Sequence, residues 1–541
     1  MLQGQGIHAV ELVFLLLLLF VVVFAALARK LKTPYPIVLV IAGLLLGFVP
    51  AIPKVPLSPD LVFLVVLPPL LYYGAWHTSW RDFKYNLVSI LFLAFGLVGF
   101  TVFGVADTSR WLFAGFDWRL GFVLGAVIST TDAIAATAIA KRVGLPQGIV
   151  DVLEGESLVN DATGLLALEF GIAMVYNGTS PTLVGGIWRL TYLIVIGVLV
   201  GIVVGLIVEF FEHRIDDGPI EIAVSILVPY ATYLGAEKLN ASGVLAVIAC
   251  GLYLSRKSSH FFSPSVRIQA DAVWEALTFV MNGLVFVLIG LQLPYVLAGI
   301  REYSLRQLIL YGLLFSVLVI VLRLLWVFPG AYLAYAIRRH LLHHKEAWPS
   351  PRGVFVVGWT GMRGVLALAA AISLPEFLAD GSAFPNRNLI IFMTFCVILV
   401  TLVLQGLTLP PLIRLLGLAS THENNQEELA ARREIVAAAV AYLETTQTRK
   451  DQLDPAIYKE IMRMYRRRLE VLHEIGEDES EKDHQLHVAL RERRLDAMRD
   501  VVQVERQTAL RLRNEGKIGD ETLRKLQYEL DLTETRLAAI R

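Results

Sequence analysis

Blocks of roughly twenty mostly apolar residues recur along this chain, and no other feature narrows its fold as much. A bilayer offers the backbone no hydrogen bonds, so a block of that length reads as a helix that satisfies its own N–H and C=O groups. About thirteen such spans can be drawn, at 8–28, 34–50, 58–76, 86–105, 117–140, 153–176, 183–211, 218–237, 240–255, 267–292, 304–336, 352–375 and 387–416. The expected fold is an all-α polytopic membrane protein. Charge is sparse along the spans and dense after them: residues 418–541 carry 22 Lys+Arg and 25 Asp+Glu, out of 48 of each in the whole chain. This split predicts a transmembrane domain over 1–417 and a helical cytosolic tail over 418–541, clearest at Met462–Leu472 and His484–Leu512, with a turn at 516–520.

Several classes drop out. Cys250 and Cys396 both lie in apolar segments, so neither a disulfide framework nor a cysteine metal site is indicated. No Walker loop, paired-cysteine motif or nucleotide fingerprint occurs, so no cofactor and no nucleic-acid partner is expected. The N-terminus lacks Lys and Arg before its apolar run, which makes it a poor signal peptide and a retained first span. Arg29, Lys30, Lys32, Arg256, Lys257, Arg338 and Arg339 gather at span ends on one side, which the positive-inside tendency assigns to the cytoplasm. The N-terminus is then outside, and the tail lies in the cytoplasm, beneath a cell membrane.

The stretch Asp151–Gly171 is the most informative span. At 3.6 residues per turn, Ser157 and Asp161 share one face, with Glu156 and Asn160 beside them. A carboxylate at a bilayer centre costs about 2.5–3.5 kcal/mol on insertion scales, so acids inside a spanning helix need a reason. Asp151 and Glu154 read as a helix start at the membrane surface. Asp161 cannot, because the apolar run after it is too short to span alone. Asp132, Arg323 and Arg363 also fall inside spans. Glu169 and Glu275 lie about two turns from span ends and read as snorkelling or locally paired.

Thirteen spans divide as six, one and six, which places the second six in the opposite sense to the first, as in an inverted-repeat transporter. The fifth span of each half carries a helix-breaking run. One is Ser129-Thr130-Thr131-Asp132, whose side chains compete for backbone hydrogen bonds. The other, in the twelfth span, is Gly358-Trp359-Thr360-Gly361-Met362-Arg363-Gly364. Broken helices aim dipole ends and carbonyls at the centre of such transporters. Three acids (Asp132, Glu156, Asp161) face two arginines, and unpaired charge in lipid is costly, so Glu156 is expected to pair with an arginine. Asp132 and Asp161 then face a water-filled cavity, where the Ser157 hydroxyl and carbonyls at Thr130–Thr131 complete an oxygen cage for a hard cation, with Asn160 holding the site open. Cation and proton compete for one charge. If only a neutralised site crosses the barrier, exchange is obligatory, and it is electroneutral when Asp161 alone changes charge.

At Glu154-Gly155-Glu156-Ser157-Leu158-Val159-Asn160-Asp161 the chain resembles the electroneutral branch of the sodium/proton exchanger family. Thr130-Thr131-Asp132-Ala133, Trp274-Glu275, Asn282-Gly283-Leu284-Val285-Phe286 and Gly361-Met362-Arg363-Gly364 fit the same pattern, which covers roughly residues 10–415. The resemblance implies an ion-binding centre at Asn160 and Asp161, assisted by Thr131 and Asp132. It further implies a Glu156–Arg323 structural pair, Arg363 steadying the crossing of the broken helices, and a homodimer with a mobile core. One departure is that Pro68-Pro69-Leu70-Leu71 is followed by Tyr72-Tyr73-Gly74, where several prokaryotic relatives carry an acid. Three readings stay open: an antiporter of sodium or lithium, the same machine working on potassium, and a cation channel or membrane sensor.

Overall fold

The structure, a computed structural model, describes residues 2–50, 57–113, 116–176, 178, 182–215, 217–300, 303–343, 348–378, 380–419, 423–447, 455–474, 481–515, 517 and 520–539. Apart from one isolated bridge between Phe377 and Ala383, the regular structure among these residues is helical. The chain forms two compact units, Met1–Ser420 and Thr421–Arg541.

In chain order the first unit comprises α1 (Leu2–Lys30), α2 (Tyr35–Gly47), α3 (Leu67–His77, continuing a π-turn at Leu61–Val66), and α4 and α5 (Trp80–Leu91 and Val98–Leu112, joined by a π-turn at Phe92–Leu97). Next come α6 (Trp118–Ser129), α7 (Ala133–Val143), α8 (Gln147–Tyr176), α9 (Leu183–Glu212), α10 (Gly218–Lys238), α11 (Gly243–Phe261) and α12 (Pro264–Leu291). The short α13 (Leu293–Ala298) leads to α14 (Leu305–His340), α15 (Pro351–Trp359) and α16 (Val365–Ile372). The last two helices, α17 and α18 (Arg387–Val400 and Gly406–Leu415), are joined by a π-turn at Thr401–Gln405. All thirteen apolar stretches fold as helices or half-helix pairs. Among the described residues eight helices are long and apolar enough to cross a membrane, while Tyr35–Gly47, Leu61–His77 and Trp118–Ser129 are apolar but shorter.

Both breaks occur where the sequence places them. The Ser129 hydroxyl donates to the Ala126 carbonyl (2.7 Å) and that of Thr130 to Val127 (3.4 Å), so side chains take over the last carbonyls of α6. Thr130 turns extended (φ −63°, ψ 139°) and α7 restarts at Ala133. In the twelfth stretch α15 stops at Trp359 and α16 starts at Val365, leaving Thr360–Gly364 unwound.

The helices of this unit pack as two bundles. In one, α2 packs along α12, α1 lies on both, and α3, α9 and α10 pack around α11. In the other, α4 and α5 with their π-turn, α6, α8, α14 and α17 form the body, and α7, α15, α16 and α18 attach to it. Between them α8 meets α11 and α3 through Leu158, Val159, Leu71, Tyr72, Val244, Val247 and Ile248, an apolar seam with Leu366 at its edge. Many large apolar side chains of α1, α9 and α14 point outward, as a lipid-facing surface requires.

The second unit holds α19 (Glu423–Gln447) packed on α20 (Pro455–Glu474) and α21 (Glu481–Asn514) packed on α22 (Asp520–Ala539). Arg506 bridges Asp531 (2.6 Å) and Glu534 (2.8 Å) across the second hairpin. Most of the turn expected at 516–520 lies outside the described residues.

Candidate ion-binding site

The two unwound segments cross, and a main-chain bond joins them: the Asp132 N–H donates to the Met362 carbonyl (2.8 Å). Four half-helix ends meet there. Arg363, 1% exposed, donates from Nε to the Ile128 carbonyl at the C-terminal end of α6 (2.9 Å) and from Nη1 to the Gly361 carbonyl. Its own N–H is held by the Thr401 hydroxyl (3.2 Å). A cation on C-terminal carbonyls and an acid at the start of α7 both suit the local helix dipoles. The glycines permit the approach. A Cβ on Gly364 would strike the Asp132 carboxyl, and one on Gly361 would strike the Arg323 side chain.

Glu156 on α8 and Arg323 on α14 are each 1% exposed and form a bidentate ion pair, Nη1 to Oε1 at 2.5 Å and Nη2 to Oε2 at 2.7 Å. Arg323 gives two further donors to the Gly358 and Val357 carbonyls (3.1 Å each), so the pair also anchors the end of α15. Thr131 links pair and crossing. Its hydroxyl donates to Glu156 Oε1 (3.3 Å) and accepts from Asn160 Nδ2 (2.5 Å), and its carbonyl accepts from the Ser157 hydroxyl (2.8 Å). Two expected cage members, Ser157 and the Thr131 carbonyl, are therefore bonded to each other.

Asp161 is handled differently. It is 7% exposed, its Oδ1 has no hydrogen-bond partner, and the neighbouring Asn160 Oδ1 also has none. Asp161 lines a cavity of about 750 Å³ between the two bundles. From α8 the wall receives Glu154, Ser157 and Asp161, and from the crossing Thr131 and Asp132; Arg29, Tyr35, Tyr73, His77, Glu275 and Asn282 line the opposite side. Arg29 and His77 end their helices and Glu154 lies near the start of α8, so the cavity runs from one end of the unit to Asp161. Among the described residues no group of three His, Cys, Asp or Glu side chains could hold a resident metal.

Two acids that the sequence reading left at the periphery, Glu154 and Glu275, line this cavity. A signal was present. Glu154, Ser157 and Asp161 repeat at intervals of three and four, as do Glu275, Thr278 and Asn282, and such intervals mark one helix face. Glu169 does find a local partner, Arg189 at 3.2 Å. Tyr73, which follows the Pro68-Pro69-Leu70-Leu71 run, lines the wall and stacks near Trp274.

An apolar helical body, two broken helices crossing beside buried carboxylates, and a cavity leading to one of them define a membrane-embedded ion transporter. The transmembrane region of the sodium/hydrogen exchanger family matches residues 15–415. An uncharacterized Na+/H+ exchanger of Mycobacterium bovis is 34% identical over 524 residues, covering 96% of this chain and 94% of that protein. A sodium, potassium, lithium and rubidium/H+ antiporter of Bacillus pumilus is 34% identical over 389 residues, covering 70% of this chain and 57% of that protein. The sodium proton antiporter MjNhaP1 from Methanocaldococcus jannaschii shares the fold, with a TM-score of 0.57 at 20% identity over 77% of this chain and 100% of its own. The chain belongs to the sodium/hydrogen exchanger family, and it is a multi-pass membrane transporter rather than an enzyme.

Proposed function

We infer that the protein exchanges sodium or lithium for a proton at Asp161, one for one, by alternating access. One observation carries this reading: a buried carboxylate with an unpartnered oxygen sits on the wall of a cavity that leads to one end of the membrane unit. Its neighbour Glu156 is committed to Arg323, so Asp161 can change charge without disturbing the pair beside it. A sodium ion needs several hard oxygens. Asp161, Asp132, Ser157 and Thr131 supply them, with Asn160 Oδ1 adjacent, while Glu156, Arg323 and Arg363 hold the frame. A proton on Asp161 displaces the ion, and either guest neutralises the site for its passage between the bundles.

With the N-terminus outside and the tail in the cytoplasm of the cell membrane, the cavity opens inward. The lipid-facing surfaces of α1 and α9 offer room for a homodimer contact. Exchange of this kind serves pH homeostasis.

The test is reconstitution in proteoliposomes under a pH gradient, with sodium, lithium, potassium and rubidium added in turn and the voltage clamped by ionophore. Sodium- or lithium-driven proton flux that ignores the clamp is expected. A clamp-dependent flux overturns the one-to-one stoichiometry, and potassium as the best ion selects the potassium reading. Cation current without proton movement overturns the antiporter.

A further inference from the structure

A second cavity, of about 380 Å³, lies on the same interface between the bundles. Val159, Ala162, Thr163 and Glu169 line it from α8, and Arg189 and Glu237 line it from the other bundle. It approaches Asp161 from the opposite direction. Glu154 and Glu169 mark the two cavities on α8, and fifteen residues at 1.5 Å each separate them by about 22 Å along the axis. The apolar seam of Leu158, Val159, Val244 and Val247 lies between the cavities. One cavity reaches Asp161 and the other stops short of it.

At the far cavity an ion pair crosses the interface. Arg189 Nη2 holds Glu169 Oε1 (3.2 Å) while Nη1 holds the Asn240 carbonyl (3.2 Å). Asn240 sits in the left-handed turn between α10 and α11 (φ 52°), which aims that carbonyl. Helix α9 packs on α10 and α11, so this pair ties α8 to the bundle that α8 must move against. Both side chains are partly exposed, at 52% for Glu169 and 35% for Arg189, and exposed pairs of this kind add little to stability. A weak bond across a sliding interface is suited to being made and broken in each cycle.

The geometry points to Glu169–Arg189 as a gate of the exchange cycle: closed while Asp161 faces the first cavity, parted when Asp161 faces the second. This rests on the alternating-access reading above. When the gate parts, Glu169 and Glu237 stand at the mouth of the far cavity as carboxylates for an arriving or departing monovalent cation.

The experiment is a reversible tether. In a chain carrying Cys250→Ala and Cys396→Ala, Glu169→Cys with Arg189→Cys is reconstituted and joined by a bis-methanethiosulfonate linker, with linkage read by mass spectrometry. Linked protein is expected to lose sodium-driven proton flux by about tenfold or more, and reductant to restore it. Full flux through linked protein overturns the gate and leaves the pair a static staple of a helical hairpin. Should the double-cysteine chain be inactive before linking, the charge swap decides. Glu169→Arg alone is expected to raise the apparent sodium KM by about threefold, because the state open to the first cavity is less populated. Adding Arg189→Glu is expected to reverse this, and no reversal overturns the proposal. Asp161→Asn is run in parallel: normal flux there defeats the site reading, whereas flux through a tethered chain defeats only the gate.

Discussion

Glu156 and Asp161 stand five residues apart on one helix, both buried, and the protein treats them in opposite ways. Glu156 receives a bidentate arginine and a hydroxyl, and Arg323 gives two further donors to backbone carbonyls. Asp161 keeps an oxygen with no hydrogen-bond partner and a wall of cavity in front of it. A buried ion pair whose donors and acceptors are nearly all used is fixed in charge, since removing either member strands the other. A carboxylate left under-satisfied beside a cavity is open to guests. On the reading proposed above, one helix carries a permanent charge for architecture and a changeable one for transport, separated by little more than a turn.

The sharpest test of that contrast is Asp161→Asn, which keeps the shape and removes the changeable charge. Exchange is expected to fall by about 100-fold or more, with folding intact by size-exclusion profile, because an obligatory charged intermediate is lost. Normal flux would erase the distinction between the two acids. Next in size is Arg323→Ala, expected to destabilise the protein by about 3–5 kcal/mol in a detergent unfolding assay by leaving Glu156 buried and alone. Combining it with Glu156→Gln should recover part of that loss, and a stable, active Arg323→Ala protein would refute the pairing. Gly364→Ala pushes a methyl into the Asp132 carboxyl, and about 1–3 kcal/mol of destabilisation with slower exchange is expected, as for other overpacked sites. Thr131→Val removes the hydroxyl that Asn160 and Glu156 share. About 1–3 kcal/mol of stability and a weaker apparent sodium affinity are expected to go with it. The smallest effect belongs to ending the chain at Gly417, which should leave the maximal rate within about twofold, since the tail unit carries its own helical packing.

Much of this was readable in the sequence, for definable reasons. The breaks announced themselves because serine and threonine hydroxyls, or clustered glycines, offer the backbone an alternative to the helix, and those bonds are present at Ser129 and Thr130. That Glu156 must pair followed from the cost of buried charge. That its partner is Arg323, 167 residues away, followed from no spacing in the chain, and only the resemblance supplied it. In the sequence Glu154 reads as peripheral because it lies near a helix start and Glu275 because it lies about two turns from a span end, yet the space between two bundles, not depth along a helix, decides what water reaches. The three π-turns left no mark in the pattern of apolar residues. At Phe92–Leu97 the altered ladder coincides with carbonyls of Phe92 and Ala94 that accept from Trp326 and Thr163 on two other helices, a tertiary arrangement that no local window contains.

The bond from the Asp132 amide to the Met362 carbonyl has a consequence for how such a centre can vary. Because this stitch is peptide to peptide, any residue other than proline at 132 could supply it. If the Asp132 carboxyl helps hold the cargo, as proposed above, selection can therefore retune it for a different ion or stoichiometry while the knot of the fold stays tied.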